Sequence, residues 1–217
     1  MHIEKQMCNC SQGAGSSCQG AGKTGPVFFA HCTLTTVPCK QLQVFIYKIL
    51  NVTIIPMSPE VLEVIKKVHE LFKEKGVTLS VAESCTGGLI SHYLTTLPGA
   101  SSFFVAGITS YAESAKKDIL GVSPDAILRH GVVSGEVAKE MAERVCLLAK
   151  TEFSISTTGN LGPDVLEGKE KGLVYIAASK AGKTVLRELR LKGGREENKE
   201  DAALSALRLL IEFAQGQ

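Results

Sequence analysis

The chain has 217 residues, of which 44% are hydrophobic and 21% are charged, and its formal net charge is +2. This hydrophobic fraction is too high for a wholly disordered protein, and 21 glycines with 7 prolines are too few for a collagen-like or linker protein. Because acidic and basic residues nearly balance, no overall field attracts the protein to nucleic acid or to an anionic membrane. Any anion must therefore bind at a local site.

Residues 1–57 differ in composition from the rest of the chain. They contain few charged side chains and hold most of the cysteines, namely Cys8, Cys10, Cys18, Cys32 and Cys39. We interpret residues 1–57 as a poorly ordered N-terminal extension and expect one functional domain over residues 58–217. Residues 20–24 end as a phosphate-binding loop does, and the cysteines with His31 are candidate zinc ligands, but neither spacing matches the usual motif.

Cysteine usage and hydropathy indicate the compartment. Cys85 and Cys146 are the cysteines of residues 58–217, and one pair is too little for a disulfide framework. The N-terminal segment lacks the order of a signal peptide, and its apolar runs are too short or too interrupted to span a bilayer. We expect a cytoplasmic protein that does not contact a membrane.

Helical and strand patterns alternate along residues 58–217. Ser58 and Ser134 are suited to cap helices, and Gly76 is suited to end one. Apolar spacing predicts helices over residues 58–76, 88–97, 112–120, 123–131, 134–148 and 196–214, and strands over 77–81, 103–111, 153–157, 173–178 and 185–191. This alternation predicts an α/β fold: a single three-layer-like domain with a mixed sheet flanked by helices.

Three loops rich in glycine and small hydroxyl residues are candidates for a site, at 83–88, 99–102 and 158–163. In the first loop, glycines at the start of a helix let a ligand approach the backbone closely. Unpaired N–H groups and the helix dipole favour an anion there. Glycine-rich turns between a strand and a helix are common, so this pattern by itself is not specific.

A serine with a lysine is a further candidate pair. A serine needs a base to become a nucleophile, and neither His92 nor His130 is well placed for that role. Lys116, near Tyr111, can act as the base if burial lowers its pKa from about 10.4 toward neutrality. From spacing alone, the ordinary alternative of a solvated lysine near turn serines is favoured over this pair.

Several motifs together resemble one known family. Residues 82–88 read AESCTGG, and further matches follow in order: PGAS at 98–101, residues 107–111, AK at 115–116, LGV at 120–122, HGVVS at 130–134, EMA at 140–142, TG at 158–159, GP at 162–163, and Gly172. Over essentially all of residues 58–217 the chain is similar to the CinA C-terminal domain family. Members of that family include amidohydrolases that convert nicotinamide mononucleotide and water to nicotinic acid mononucleotide and ammonia. The resemblance therefore implies this activity, in a stand-alone form of the domain.

The resemblance also implies roles for individual residues. Ser101 matches the nucleophile, Lys116 its base, and Ser84 the serine that relays a proton between them. Other polar positions and the glycines of the loops would bind substrate, with Arg195 holding its phosphate: Thr158, Arg195, Thr86, Gly87, Gly88 and Gly159. Tyr111 is counted with the catalytic group. A small-molecule nucleotide is the expected partner, with no metal or other cofactor, no nucleic acid, and a symmetric homo-oligomer as the assembly.

The loop at residues 160–171 departs from the family pattern. Asn160-Leu161 stands where the family has isoleucine-alanine, and Val165-Leu166 stands where it has two glycines. Lys-Pro-x-Gly is replaced by KEKG at 169–172, and the stretch is about one residue shorter. These changes favour an alternative of another class, a non-catalytic nucleotide-binding or competence/damage-related regulatory module of the same fold.

Overall fold

The computed structural model of the chain describes residues 57–164 and 166–216. The expected extension, phosphate loop and zinc ligands fall on residues 1–56, outside the described part. Within it, the helices are α1 Pro59–Lys75, α2 Leu89–Thr96, α3 Glu113–Asp118, α4 Pro124–His130, α5 Gly135–Ala149 and α6 Arg195–Gln215, with a 3₁₀ turn at Ala100–Ser102. The strands are β1 Leu79–Glu83, β2 Phe104–Thr109, β3 Phe153–Gly159, β4 Leu173–Lys180 and β5 Lys183–Arg190.

The strands form one mixed sheet in the order β2-β1-β3-β4-β5. β1 runs parallel to both β2 and β3, whereas β4 is antiparallel to β3 and to β5. The carboxyl ends of β1, β2 and β3 therefore meet at one edge of the sheet. That edge is where open α/β sheets bind their ligands.

Helices cover both faces of the sheet and make three layers. Val81 of β1 belongs to an apolar cluster with residues of α1, α2 and α6, whereas the next residue, Ala82, packs with residues of α4 and α5. Consecutive strand side chains point to opposite faces, so the two clusters lie on the two sides of the sheet. This confirms the expected α/β fold with a mixed sheet flanked by helices.

The capping residues expected from the sequence begin and end the helices. The hydroxyls of Ser58 and Ser134 accept hydrogen bonds from the amides of Val61 and Val137, at 3.2 and 3.3 Å. Gly76 ends α1 with φ of 61°, a conformation that a glycine adopts without steric cost. The boundaries of α1 and α5 thus follow from local chemistry.

The second strand ends earlier than the sequence pattern suggests. The pattern predicts a strand to Tyr111, but β2 stops at Thr109. The Ser110 amide still donates to the Glu83 carbonyl at 2.8 Å, and the chain then leaves the sheet to begin α3. The carbonyls of Ser110 and Tyr111 are thereby free to accept other donors.

A buried carboxylate fixes the turn between β1 and α2. Glu83 is fully buried and accepts five hydrogen bonds, from the backbone amides of Gly88, Ile90 and Ser91 and from the hydroxyls of Thr86 and Ser91. The N-cap residue of α2, Gly88, has no side chain to satisfy the first amides of the helix. Glu83 caps α2 in its place and holds the intervening loop 84–88 against the sheet.

Within the described residues, no helix combines the length and the hydropathy that a membrane-crossing segment requires.

We expect Glu83→Gln to lower the free energy of unfolding by about 2–4 kcal/mol, because an amide nitrogen would face N–H and O–H donors that need an acceptor. Urea denaturation of the variant and of the unaltered chain measures the difference. Glu74→Gln, on the exposed surface of α1, is the matched control and should change stability little. Equal stability of the Glu83 and Glu74 variants would contradict this account of the turn.

Candidate active site

A small cavity opens at the edge where β1, β2 and β3 end. Its volume is about 120 Å³, and it is lined by Ser84, Cys85, Tyr111, Lys116, Val132, Val133, Thr158, Gly159, Asn160, Leu161, Leu166 and Arg195. These residues come from the end of β3, from loops that follow the three strands, from α3, from the segment before α5 and from the start of α6. The cavity therefore gathers residues that are far apart in the sequence.

Lys116 of α3 reaches the floor of this cavity. Its side chain is almost completely buried, with 1% of the residue exposed. Its Nζ lies 2.8 Å from Ser84 Oγ, 2.8 Å from the Ser110 carbonyl oxygen and 3.4 Å from the Tyr111 carbonyl oxygen. Within the described part of the chain, Lys116 forms no salt bridge, so its amine is held by neutral oxygen atoms.

Burial lowers the pKa of Lys116 from 10.5 to about 8, because removal from water disfavours the ammonium form. Glu113 and Glu167 lie near enough to offset part of this effect. With this pKa, about a tenth of the molecules carry a neutral amine at pH 7 and about half at pH 8. Lys116 can therefore accept a proton near physiological pH, as the expected base must.

Cys85 follows Ser84 and also lines the cavity. Burial raises the pKa of its thiol to about 12. A thiol with this pKa stays protonated at neutral pH, and the thiolate is the nucleophilic form. Of Ser84 and Cys85, Ser84 is the better candidate nucleophile, because its hydroxyl lies beside the Lys116 amine.

Arg195 and Tyr111 stand at the mouth of the cavity. The guanidinium Nη2 donates to the Tyr111 hydroxyl at 2.7 Å, and Nη1 donates to the Gly162 carbonyl. Tyr111 is 60% exposed, so this pair faces solvent. A guanidinium has five N–H donors, and those not used here remain available to an anion.

Thr158 and Gly159 form part of the cavity wall. The Thr158 hydroxyl donates to the Val132 carbonyl at 2.7 Å and so ties the end of β3 to the segment that precedes α5. A Cβ at Gly159 would lie 2.9 Å from the Leu173 carbonyl oxygen, so the neighbouring strand β4 requires a glycine there. Both residues border the cavity and also support its shape.

Thr86, Gly87 and Gly88 are not among the residues that line the cavity. The Thr86 hydroxyl and the Gly88 amide donate to Glu83, and the Gly87 amide donates to the Ser84 carbonyl at 3.1 Å. The donors expected to hold an external anion are thus satisfied by the protein's own acceptors. The sequence feature that could have predicted this internal acceptor is Glu83, a carboxylate at the end of a buried strand.

Ser101 lies at the other edge of the sheet. It is an exposed residue of the turn Ala100–Ser102, two residues before Phe103, whose carbonyl accepts from the Leu79 amide at the start of β1. Ser84 follows the opposite end of β1, and five residues of strand span about 16 Å. The structure therefore does not bring Ser101 to Lys116 within one chain, contrary to the pairing expected from the sequence.

Other cavity residues were not singled out from the sequence. Val132 and Val133 lie in the HGVVS motif but have no reactive side chain, and Leu166 belongs to the loop that departs from the family pattern. Asn160 shapes that loop: its side chain donates to the Lys169 carbonyl and accepts from the Gly162 amide, each at 3.1 Å. Among the described residues, no cluster of three or more His, Cys, Asp or Glu side chains is placed to hold a metal ion.

Comparisons with known proteins agree on one family. The sequence profile described as CinA C-terminal domain matches residues 62–214. A putative competence-damage inducible protein of Caldanaerobacter subterraneus subsp. tengcongensis is 39% identical over 178 residues, which are 82% of this chain and 43% of that protein. One of Alkaliphilus oremlandii is 44% identical over 144 residues, 66% of this chain and 35% of that protein. The chain thus spans less than half the length of these curated relatives.

Solved structures show the same likeness. The competence/damage inducible protein CihA from Agrobacterium tumefaciens has a TM-score of 0.69 and 32% identity, covering 71% of this chain and 96% of that one. A CinA superfamily protein from Enterobacter cloacae has a TM-score of 0.69 and 33% identity, covering 71% of this chain and 92% of that one. Each of these structures thus covers about seven tenths of this chain.

We expect the Lys116 side chain to titrate with a pKa of about 8, because its buried amine loses the solvation that stabilises a charged ammonium. Carbon-13 NMR of the lysine side chains across a pH series measures this titration. The spectrum of Lys116→Met identifies the signal, since that resonance alone should disappear. Absence of any lysine signal that titrates below about pH 9.5 would contradict the geometry described for the cavity.

Proposed function

Because this chain belongs to the CinA C-terminal domain family, we propose that it is an amidohydrolase that uses Lys116 as a base and Ser84 as a nucleophile. The proposed reaction converts nicotinamide mononucleotide and water to nicotinic acid mononucleotide and ammonia. The observation that supports it most directly is the buried lysine amine 2.8 Å from the Ser84 hydroxyl. A module that only binds a nucleotide has no need of a base in that position.

The three oxygens around Lys116 accept from its ammonium form, Ser84 Oγ among them, and they can also hold the neutral amine that acts as the base. Such an amine has two N–H bonds and one lone pair, and two backbone carbonyls lie within reach, those of Ser110 and Tyr111. If these carbonyls accept the two N–H bonds, the lone pair is left for the hydroxyl of Ser84. The arrangement then withdraws the serine proton as its oxygen attacks.

The proposed reaction proceeds in two steps. Ser84 Oγ attacks the amide carbon while Lys116 takes the hydroxyl proton; the C–N bond then breaks as Lys116 gives that proton to the leaving nitrogen, and ammonia departs. In the second step Lys116 takes a proton from water, the resulting hydroxide attacks the Ser84 ester, and the proton returns to Ser84 Oγ. The product is a carboxylic acid, which ionises in water.

The developing oxyanion needs N–H donors close to the nucleophile. In many serine hydrolases the amide of the residue after the nucleophile fills this role. Here that residue is Cys85, whose backbone borders the same cavity. We propose the Cys85 amide as one donor, since the amides of Gly87 and Gly88 already have acceptors within the loop.

Size and charge suggest how a nucleotide would be placed. A cavity of about 120 Å³ admits a ring with its amide group, whereas drug-sized ligands occupy roughly 300–1,000 Å³. The ribose and phosphate would then remain at the mouth, beside Arg195 and Tyr111. A guanidinium binds phosphate through parallel hydrogen bonds, and this matches the role that the family resemblance assigns to Arg195.

Ser101 could act as the nucleophile only in the cavity of a second copy of the chain. Its exposed position on the far edge of the sheet leaves it free to enter the cavity of a neighbouring subunit in a symmetric homo-oligomer. The geometry within one chain favours Ser84, and the experiment below separates the two serines.

We expect Ser84→Ala and Lys116→Met each to lower turnover by at least about 1,000-fold, and the double variant to be little worse, because the two residues act as a unit. Ammonia release from nicotinamide mononucleotide measures turnover, with free nicotinamide as the substrate control and circular dichroism as the folding control. Lys117→Met, at the next position of α3, is the matched lysine control. Near-normal turnover by a folded Ser84→Ala protein would rule out Ser84 as the nucleophile.

Ser101→Ala is the matched serine control and should keep most activity. If the Ser101→Ala protein is inactive, it is mixed with the Lys116→Met protein to form mixed oligomers. Recovered activity would show that Ser101 of one subunit acts with Lys116 of its neighbour. Binding of the nucleotide without ammonia release by the unaltered chain would instead support the non-catalytic alternative, which is consistent with relatives named for competence and damage induction.

We expect Arg195→Lys to raise KM for nicotinamide mononucleotide by about ten-fold with little change in kcat, because an ammonium cannot form the paired hydrogen bonds of a guanidinium. Initial rates of ammonia release over a range of substrate concentrations give both constants. Arg190→Lys is the control: Arg190 is an exposed residue of β5 that binds Glu170 and Glu188. An unchanged KM in the Arg195 variant would remove this residue from the phosphate site.

A further inference from the structure

A short turn at residues 166–169, here called the strap, partly covers the cavity. The Lys169 amide donates to the Leu166 carbonyl at 2.8 Å and closes the turn. Leu166 lines the cavity, and Glu167 follows it. The strap lies in the loop that departs from the family pattern at Val165-Leu166 and at residues 169–172.

The carboxylate of Glu167 bridges the strap to the segment before α5. Its Oε1 accepts from the Val132 amide at 3.1 Å, and its Oε2 accepts from the Val133 amide at 3.4 Å. Each oxygen thus faces one N–H group. Both valines line the cavity that contains Lys116 and Ser84.

The two amides are held in place independently of Glu167. The Val132 carbonyl accepts from Thr158, and the Gly131 carbonyl accepts from Ser134 at 2.9 Å. The Gly131 and Val132 carbonyls belong to the same peptide groups as the Val132 and Val133 amides. Because these carbonyls are bound on one side, the two amides point to the opposite side. Gly131 also leaves room for the carboxylate, since a Cβ there would overlap the Glu167 carboxylate oxygens. This is a preformed pair of donors beside the cavity.

We infer that the Val132 and Val133 amides form a carboxylate subsite, which Glu167 fills from within the chain and which the carboxylate of a bound product takes in its place. The inference rests on the proposed function, because hydrolysis of an amide is what creates that carboxylate. Glu167 and the product would compete for the same donors.

The donor pattern selects a carboxylate over an amide. A carboxylate offers one acceptor oxygen to each N–H group, as Glu167 does here. The amide of a substrate has one oxygen and an NH₂ group, and the NH₂ group would face the second backbone N–H without a hydrogen bond. The subsite would therefore hold the product more tightly than the substrate, and Glu167 would help to release the product.

Cavity size and backbone conformation both support an opening strap. Leu166 of the strap lines the cavity of about 120 Å³, so a movement of the strap would enlarge the space open to a ligand. Glu167 also has φ of 53°, in the left-handed region where a glutamate is strained. The contacts of its carboxylate offset this cost, and an external carboxylate that displaces it would let the turn relax.

The test compares two ligands that differ only in this group, nicotinic acid mononucleotide and nicotinamide mononucleotide. In Glu167→Gln and Glu167→Asn we expect the dissociation constant of the acid to fall by about ten-fold, while that of the amide changes less than about two-fold. Asparagine suits the left-handed turn, so that variant guards against a folding defect. Glu170→Gln is the control in the same loop. Calorimetry gives the constants, and an unchanged or weaker affinity of both Glu167 variants for the acid overturns the inference.

A second measurement does not depend on the proposed reaction. Acetate is titrated into nitrogen-15-labelled protein, and the amide signals of Val132 and Val133 are followed. We expect both signals to shift to saturation in Glu167→Asn, and to need at least about ten-fold more acetate in the unaltered chain. If ammonia release fails but these shifts occur, the subsite stands and the proposed substrate is wrong. Absence of shifts in the variant overturns the subsite, whatever the activity.

Discussion

The site depends on the buried carboxylate of Glu83 at the end of β1. A fully buried carboxylate needs several donors, and five hydrogen bonds from the following turn supply them. These bonds cap α2 and pull the loop 84–88 back onto the sheet. Ser84 is thereby placed beside Lys116, which lies in α3, the helix that follows β2. The same bonds use the amides of Gly88, Ile90 and Ser91, which would otherwise be free to attract an external anion.

Lys116 illustrates how a fold changes the chemistry of a side chain. The amine is buried without a carboxylate partner in the described residues, and three neutral oxygens surround it. Such burial is unfavourable for the charged form and lowers the pKa toward neutrality. An exposed lysine would be a permanent cation, whereas this one can exchange a proton with Ser84. A buried lysine without a salt bridge is costly for stability and is more readily explained by function.

The structure shows which contacts are made by residues of the loop 160–171, which departs from the family pattern. Asn160 binds the backbone across the loop through its amide group, and Glu167 binds the peptide segment opposite. Asn160, Leu161 and Leu166 of this loop are part of the cavity wall. The loop leaves Lys116 and Ser84 in place and changes the group that covers them.

The sequence by itself determined the alternation of helices and strands and the caps at Ser58 and Ser134, and its family motif indicated Lys116 as a candidate base. These features depend on local spacing, on single capping side chains or on a recognisable motif. Only the tertiary structure decided which serine meets Lys116, because residues 84 and 101 are close in sequence but lie at opposite ends of the sheet. It also decided the contact of Glu167 with a segment 35 residues away. Such contacts depend on how elements that are distant in the sequence pack together, and a local pattern of residues does not predict that packing.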